Sequence, residues 1–133
     1  MSELAPNPGY KARVLVVEDE PSVCALLSDV LEDDGLTPCC VQSDRQAFEA
    51  LRRGEAFTCM IVDVNLGSGM TGYDVARFAR QLDPQLPVIY VSGQTSEDSF
   101  RANGVSGSLF LPKPFTPHEL LERVRMFAGD NDD

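Results

Sequence analysis

Five separated positions in this sequence carry side chains that could act together on a phosphoryl group. The set consists of Glu18, Asp19, Asp63, Ser92 and Lys113. Three carboxylates brought together would repel one another strongly, so such a cluster is retained mainly when a cation neutralises it. Oxygen ligands without a nearby His or Cys favour Mg²⁺, which often bridges to phosphate. With an amine and a hydroxyl added, the set suits phosphoryl transfer, where positioning and charge neutralisation supply most of the catalysis.

Each of these side chains follows a short apolar run that predicts a β-strand. The relevant runs are residues 14–17, 59–62, 88–91 and 109–111. The runs 14–17 and 59–62 are apolar without alternation, which indicates strands buried on both faces of a parallel sheet. A further run, 36–41, contains Pro38, which cannot donate to a ladder and therefore belongs on an edge strand. Because the carboxyl ends of parallel strands share one edge, we expect the five side chains to meet in one crevice.

Amphipathic stretches between these runs predict five helices, and the alternation indicates βα units with right-handed crossovers. The predicted buried stripes are Val23, Leu26, Leu27 and Val30; Ala47, Phe48 and Leu51; Val75, Phe78, Ala79 and Leu82; and Leu120, Val124 and Phe127. Ser43 with Gln46, and Thr116 with Glu119, form predicted capping boxes. Thr95 is the predicted cap of a short fourth helix with few apolar positions.

Chain length, net charge and the lengths of the apolar runs restrict the class of protein. A chain of 133 residues suits one domain, and its net charge of -10 disfavours direct binding to nucleic acid. No apolar run approaches the ~20 residues of a membrane-spanning helix, and residues 1–4 lack the pattern of a secretory signal, so we expect a cytoplasmic protein without membrane insertion.

The four cysteines show no CxxC spacing, and the single histidine, His118, lies far from them in sequence. A zinc site is therefore disfavoured. We expect Cys24, Cys39, Cys40 and Cys59 to be small buried apolar side chains, with the adjacent pair Cys39 and Cys40 as the candidate for redox sensitivity.

On these residues the chain resembles a response-regulator receiver domain of the CheY-like superfamily, in a stand-alone form. The resemblance covers residues 11–129 and leaves 1–10 and 130–133 as expected tails. It implies a flavodoxin-like, doubly wound (βα)5 three-layer sandwich with a five-stranded parallel sheet in the order 2-1-3-4-5. It also implies a phosphorylation-activated switch of a two-component or phosphorelay system, which is not an enzyme beyond its own phosphorylation and dephosphorylation.

The resemblance assigns roles around a Mg²⁺ cofactor. It implies that Asp63 is the phosphoacceptor and that Asp19 is a direct metal ligand. Glu18 would act mostly through metal-bound water, and the backbone carbonyl of Asn65 would be a further ligand.

For the phosphoryl group and the switch, the resemblance implies that Ser92 and Lys113 bind the phosphoryl oxygens, with a cis bond between Lys113 and Pro114. Phe110 stands where the family has a switch aromatic, although an ordinary core role fits it equally well. The implied partners are a sensor histidine kinase or histidine phosphotransferase, and an effector protein bound by the face of helix 4, strand 5 and helix 5. The expected state is a monomer or weak dimer.

The chain departs from the family pattern at a few positions. Gly67 replaces a common proline, the loop from Gly67 to Gly72 is about one residue longer than usual, and Ser92 replaces a commoner threonine. By the resemblance, Asn65 and Gln94 occupy positions that the family uses to tune phosphate lifetime. Two alternatives stay open: an aspartate-nucleophile phosphohydrolase, which would need an acid at position 65, and a scaffold that signals without phosphate.

Overall fold

The computed structural model describes residues 12–67, 70–94 and 97–128, in which five β-strands alternate with five α-helices. The strands are β1 (Arg13–Val17), β2 (Thr37–Val41), β3 (Cys59–Asp63), β4 (Val88–Ser92) and β5 (Leu109–Pro112). The helices are α1 (Pro21–Asp33), α2 (Asp44–Arg52), α3 (Gly72–Leu82), α4 (Glu97–Asn103) and α5 (Pro117–Ala128). The predicted tails, the boundary residues 11 and 129, loop residues 68 and 69, and the predicted cap Thr95 lie outside the described residues.

The sheet confirms the predicted order and direction. Its strands run β2-β1-β3-β4-β5, and every neighbouring pair is parallel. Pro38 lies on β2, an edge strand, where its missing N–H removes no hydrogen bond from the interior of the sheet. The strand order reverses between β1 and β3, and ligands of open α/β sheets bind outside the carboxyl ends of the strands at such a point.

Two apolar cores lie on opposite faces of the sheet. Successive residues of a strand point to opposite faces, so Leu15 and Val17 pack with α2 and α3, whereas Val14 and Val16 pack with α1 and α5. All four are completely buried. The uninterrupted apolar runs in β1, β3 and β4 therefore reflect burial on both faces, as predicted for β1 and β3.

Two positions of the predicted helix stripes are wrong. Leu26 is 61% exposed and Leu82 is 49% exposed. In α1 the buried residues are Cys24, Leu27 and Leu31, which lie on one face of the helix. Leu26 precedes Leu27 and therefore points away from that face. Leu82 is the last residue of α3, three residues beyond the buried Ala79, and its neighbours at 81 and 83–85 are exposed.

The helix caps follow the predicted pattern with one change. Thr116 and Glu119 form a complete capping box: Thr116 Oγ1 accepts from the Glu119 N–H at 3.1 Å, and Glu119 Oε1 accepts from the Thr116 N–H at 2.8 Å. Ser43 Oγ accepts from the Gln46 N–H at 3.1 Å, but Gln46 Oε1 accepts from the Gln42 N–H at 2.7 Å, one residue earlier than in a capping box. Helix α4 is short and has no buried residue, in agreement with its few apolar positions.

The expectation that all four cysteines are small buried side chains is wrong. Cys24 on α1 is 4% exposed, but Cys40 on β2 is exposed, and the two form a disulfide. Cys39 is half-buried and Cys59 is buried, and both are free thiols. The physical reason is strand alternation: Cys40 lies on the α1 side of the edge strand, within reach of Cys24. None of the helices in the described part of the chain is both long and apolar enough to span a bilayer.

Candidate functional site

A cleft of about 300 Å³ opens at the carboxyl ends of the strands, where the sequence predicted a crevice. It is lined by Asp19, Glu20, Asp63, Asn65, Gly67, Ser92, Gly93, Gln94 and Lys113. Five of the seven predicted site residues are in this lining. Of the other two, Glu18 lies buried next to the cleft and Phe110 lies elsewhere, on β5.

Three carboxylates converge in the cleft. Oxygen atoms of Glu18, Asp19 and Asp63 all lie within 4.8 Å of one another. Glu18 is 1% exposed and Asp63 is 5% exposed, so both have lost most of their hydration. Backbone amides hold the two buried groups: the Glu20 N–H donates to Glu18 Oε2 at 3.3 Å, and the Asn65 N–H donates to Asp63 Oδ1 at 2.9 Å. A set of crowded oxygen donors of this kind fits a hard divalent cation such as Mg²⁺.

Lys113 supplies positive charge to the same cluster. Its Nζ lies 2.9 Å from Asp63 Oδ2 and 3.3 Å from Glu18 Oε1. The Lys113 N–H donates to the Ser92 carbonyl at 2.9 Å, which fixes the backbone of β5 beside the end of β4. The Lys113–Pro114 peptide bond is cis, in agreement with the family resemblance.

The pKa values of Glu18 and Lys113 are both raised in this cluster. Burial, reinforced by the negative charge of Asp63, raises the pKa of Glu18 from 4.5 to about 7, although Lys113 and the Glu20 amide act in the opposite direction. Partial burial acts to lower the pKa of Lys113, but its hydrogen bond to Asp63 and the charges of Asp63 and Glu18 outweigh that effect, so the pKa is raised. A proton on Glu18 therefore substitutes for part of the charge that a cation would supply.

We expect the metal-free protein to lose stability as the pH rises from 4.5 to about 7, the interval between the ordinary and the folded-state pKa of Glu18. In this interval the folded chain binds more protons at Glu18 than the unfolded chain does, so removing protons favours unfolding. The Glu18→Gln variant should show a flatter dependence, measured by urea unfolding in chelator across this range. Glu32→Gln, on the exposed side of α1, is the control and should keep the wild-type slope. Identical slopes for Glu18→Gln and wild type would contradict this prediction.

The two predicted switch residues, Ser92 and Phe110, lie on the neighbouring strands β4 and β5. Ser92 is 2% exposed, and its Oγ accepts from the Gln94 N–H at 3.2 Å. Phe110 is half-buried and its ring stacks on Phe100 of α4, with centroids 5.3 Å apart. Phe100 in turn contacts Tyr90, with centroids 5.8 Å apart. The predicted switch aromatic is therefore part of an aromatic cluster that holds α4.

Two glycines and an acid shape the site although the sequence alone assigned them no role in it. The Gly72 N–H donates to the Val64 carbonyl at 2.8 Å, and a Cβ at Gly72 would overlap the Asp63 carbonyl oxygen. Gly67 has a φ of +72°, and a Cβ there would lie 3.2 Å from Asp19 Oδ2. Glu20 lines the cleft beside the acidic pair. Adjacency to Asp19 could have identified Glu20, whereas the role of Gly72 depends on a backbone contact that sequence spacing does not show.

The fold and site together define a flavodoxin-like domain with an acidic, lysine-containing crevice at the switch point of its sheet. Residues 14–125 match the family described as "Response regulator receiver domain". The chain belongs to the response regulator receiver domain family, whose members are signalling switches of two-component systems.

Individual relatives agree with this assignment. The chain is 32% identical over 124 residues to the DNA-binding response regulator MtrA of Mycolicibacterium smegmatis, covering 92% of this chain and 53% of the relative. The chain thus spans about half the length of the curated relatives it matches. Its structure is similar to a response regulator receiver protein from Sinorhizobium medicae WSM419, with a TM-score of 0.83, 32% identity and coverage of 88% and 94% of the two chains. It is also similar to the chemotaxis protein CheY4 of Vibrio cholerae, with a TM-score of 0.79, 27% identity and coverage of 89% and 99%.

Proposed function

We propose that this domain is switched by transfer of a phosphoryl group to Asp63 from the phosphohistidine of a sensor histidine kinase or histidine phosphotransferase. The observation that carries the proposal is the convergence of remote groups on one cleft. Lys113 Nζ lies 2.9 Å from the Asp63 carboxylate, and Glu18 and Asp19 place further oxygens beside it. These groups come from three strand ends, and together they match the needs of a phosphoryl acceptor.

The residues present fit a magnesium ion. Asp19 and Asp63 would bind it directly, the backbone carbonyl of Asn65 would contribute a further oxygen, and Glu18 would act mostly through metal-bound water. When bound, Mg²⁺ supplies the positive charge that neutralises the crowded carboxylates and the phosphoryl oxygens. The proton that Glu18 holds near neutral pH would leave as the cation is taken up.

The chain's own residues perform the transfer. A carboxylate oxygen of Asp63 attacks phosphorus in line while the bond from phosphorus to the donor imidazole breaks, which leaves an acyl phosphate on Asp63. Lys113 Nζ and Ser92 Oγ bind the phosphoryl oxygens, since both groups line the cleft with Asp63. The Asp63 carboxylate is oriented before the transfer, because its Oδ1 accepts a hydrogen bond from the Asn65 amide.

The signal would leave through the surface formed by α4, β5 and α5. Phosphorylation draws the Ser92 hydroxyl towards the new phosphoryl oxygens, and Phe110 moves into the space that Ser92 vacates. Since Phe110 stacks on Phe100, this movement alters the position of α4 and the surface offered to an effector protein. The acidic net charge of -10 supports a protein effector and not direct nucleic-acid contact. We place this switch in the cytoplasm, as a monomer or weak dimer.

Acetyl phosphate labelling followed by intact-mass measurement tests this function. We expect the protein to gain the mass of one phosphoryl group when Mg²⁺ is present and none when a chelator replaces it. Labelling that is equal with and without Mg²⁺, or no labelling at all, would count against the proposal. Steady hydrolysis of a generic phosphomonoester would instead indicate the phosphohydrolase alternative, which lacks support because Asn65 cannot protonate a leaving group.

A further inference from the structure

The disulfide between Cys24 and Cys40 joins the two segments that flank the acidic pair. The Cys24 N–H donates to the Glu20 carbonyl at 3.0 Å, in the turn that begins α1. Cys40 precedes Val41, whose carbonyl accepts the Glu18 N–H at 3.0 Å. The disulfide therefore connects the start of α1, which follows Asp19, with the end of β2, which is hydrogen-bonded to the residue before Asp19.

The backbone geometry selects Cys40, and not its neighbour Cys39, as the partner of Cys24. The Cα atoms of Cys24 and Cys40 are 6.2 Å apart, within the range that a disulfide spans. Cys40 pairs in register with Val16, a member of the core that contains Cys24. Cys39 points to the opposite face of β2 and packs against the other core, so the sheet itself separates it from Cys24.

The cysteines differ in exposure, which separates the oxidisable pair from Cys59. Cys40 is exposed, so an oxidant in solution reaches it first, and Cys24 lies beneath it, 4% exposed. Cys59 is completely buried, and burial raises its pKa to about 12, so it stays a protonated thiol. In a reducing compartment an accessible disulfide is usually transient and responsive, because exposed disulfides are the labile ones.

We propose that Cys24 and Cys40 are a reversible oxidation site whose disulfide increases the affinity of the adjacent acidic site for Mg²⁺; this inference rests on the proposed function. The oxidant is a peroxide. The Cys40 thiolate attacks hydrogen peroxide, forming an S–O bond as the O–O bond breaks, and the leaving hydroxide takes up a proton to become water. The Cys24 sulfur then attacks the sulfenic acid, the S–S bond forms, and the S–O bond breaks with loss of a second water.

In the overall reaction, two thiols lose two electrons and two protons, and one peroxide molecule becomes two waters. A dithiol reverses the reaction by exchange. The disulfide strengthens cation binding because it holds the start of α1 and the end of β2 together before the cation arrives, which reduces the ordering that binding itself must supply. We expect the dissociation constant for Mg²⁺ to be about tenfold lower in the oxidised form, at the lower end of the range found for groups that orient metal ligands.

The test compares the full chain reduced with a dithiol and oxidised with hydrogen peroxide, each freed of reagent. The oxidised form should be lighter by two hydrogens, and peptide mapping after alkylation of the unfolded chain should find Cys39 and Cys59 modified but Cys24 and Cys40 protected. Isothermal titration with MgCl₂ should then show tighter binding by the oxidised form. Cys40→Ser, at an exposed position, should abolish the difference between the two treatments, whereas the matched variant Cys39→Ser should retain it.

Equal magnesium affinities of the two forms would overturn the coupling and leave the proposed function intact. A difference that persists in Cys40→Ser, or a disulfide that contains Cys39, would overturn the site itself. Absence of magnesium binding in both forms would contradict the coupling and the proposed function together.

Discussion

An Asp63→Asn variant is expected to take up no phosphoryl group from acetyl phosphate and Mg²⁺, with labelling falling from one group per chain to none. The amide that replaces the carboxylate is a poor nucleophile and carries no charge to hold a cation. The buried acid next to it cannot substitute for it, since Glu18 is 1% exposed and lies outside the lining of the cleft. Intact-mass measurement under identical conditions for the variant and wild type checks this result.

Two controls show whether a loss of labelling is chemical. Asp29→Asn changes an exposed aspartate on α1 and should label like wild type. Without metal, Asp63→Asn should be at least as stable as wild type in urea unfolding, because it removes one carboxylate from a crowded cluster in which Lys113 still has Glu18 as a partner at 3.3 Å. Labelling of Asp63→Asn at the wild-type level would refute the assignment of the acceptor.

The Gly72→Ala substitution is expected to produce the largest loss of stability among single methyl additions at this site, about 3 kcal/mol or more. A Cβ at Gly72 would overlap the carbonyl oxygen of Asp63 and lie 2.9 Å from Val64 Cα. Both are backbone atoms, so relief requires a shift of β3 or of the start of α3. Urea unfolding measures the effect as a decrease in the free energy of unfolding.

Gly93→Ala is the matched control, because a Cβ there would meet Lys113 Cβ at an ordinary 3.7 Å. Its free energy of unfolding should change by less than about 1 kcal/mol. A similarly small change for Gly72→Ala would show that the close approach of α3 to the Asp63 backbone does not constrain the protein.

The sheet could be predicted from sequence because its strands differ sharply from their surroundings. The runs 14–17, 59–62 and 88–91 are apolar without alternation, which is typical of strands buried on both faces of a parallel sheet. Pro38 identified an edge strand for an equally specific reason. The buried face of a helix was harder to predict. Leu26 and Leu27 are both apolar and lie about 100° apart on the helix. Only packing decides which of them faces the core.

The composition of the site was also predictable, because parallel strands must bring their carboxyl ends to one edge. The electrostatics were not. That Glu18 is buried and holds a proton near pH 7 depends on how far it lies beneath the cleft surface, which spacing does not encode. The Cys24–Cys40 disulfide was missed although strand alternation already placed Cys39 and Cys40 on opposite faces of β2. The disulfide could have been predicted by noting that Cys40, on the edge strand β2, faces the preceding helix α1, which contains Cys24.

A crystal structure of the protein with Mg²⁺ and beryllofluoride, a mimic of the phosphoryl group, tests most directly whether these remote groups serve one metal and one acceptor. We expect a single magnesium ion bound by Asp19, Asp63 and the carbonyl of Asn65. We also expect a fluoride complex on Asp63 within hydrogen-bonding distance of Lys113 and Ser92. A metal bound away from the acidic cluster, or a fluoride complex attached to any carboxylate other than Asp63, would contradict this assignment.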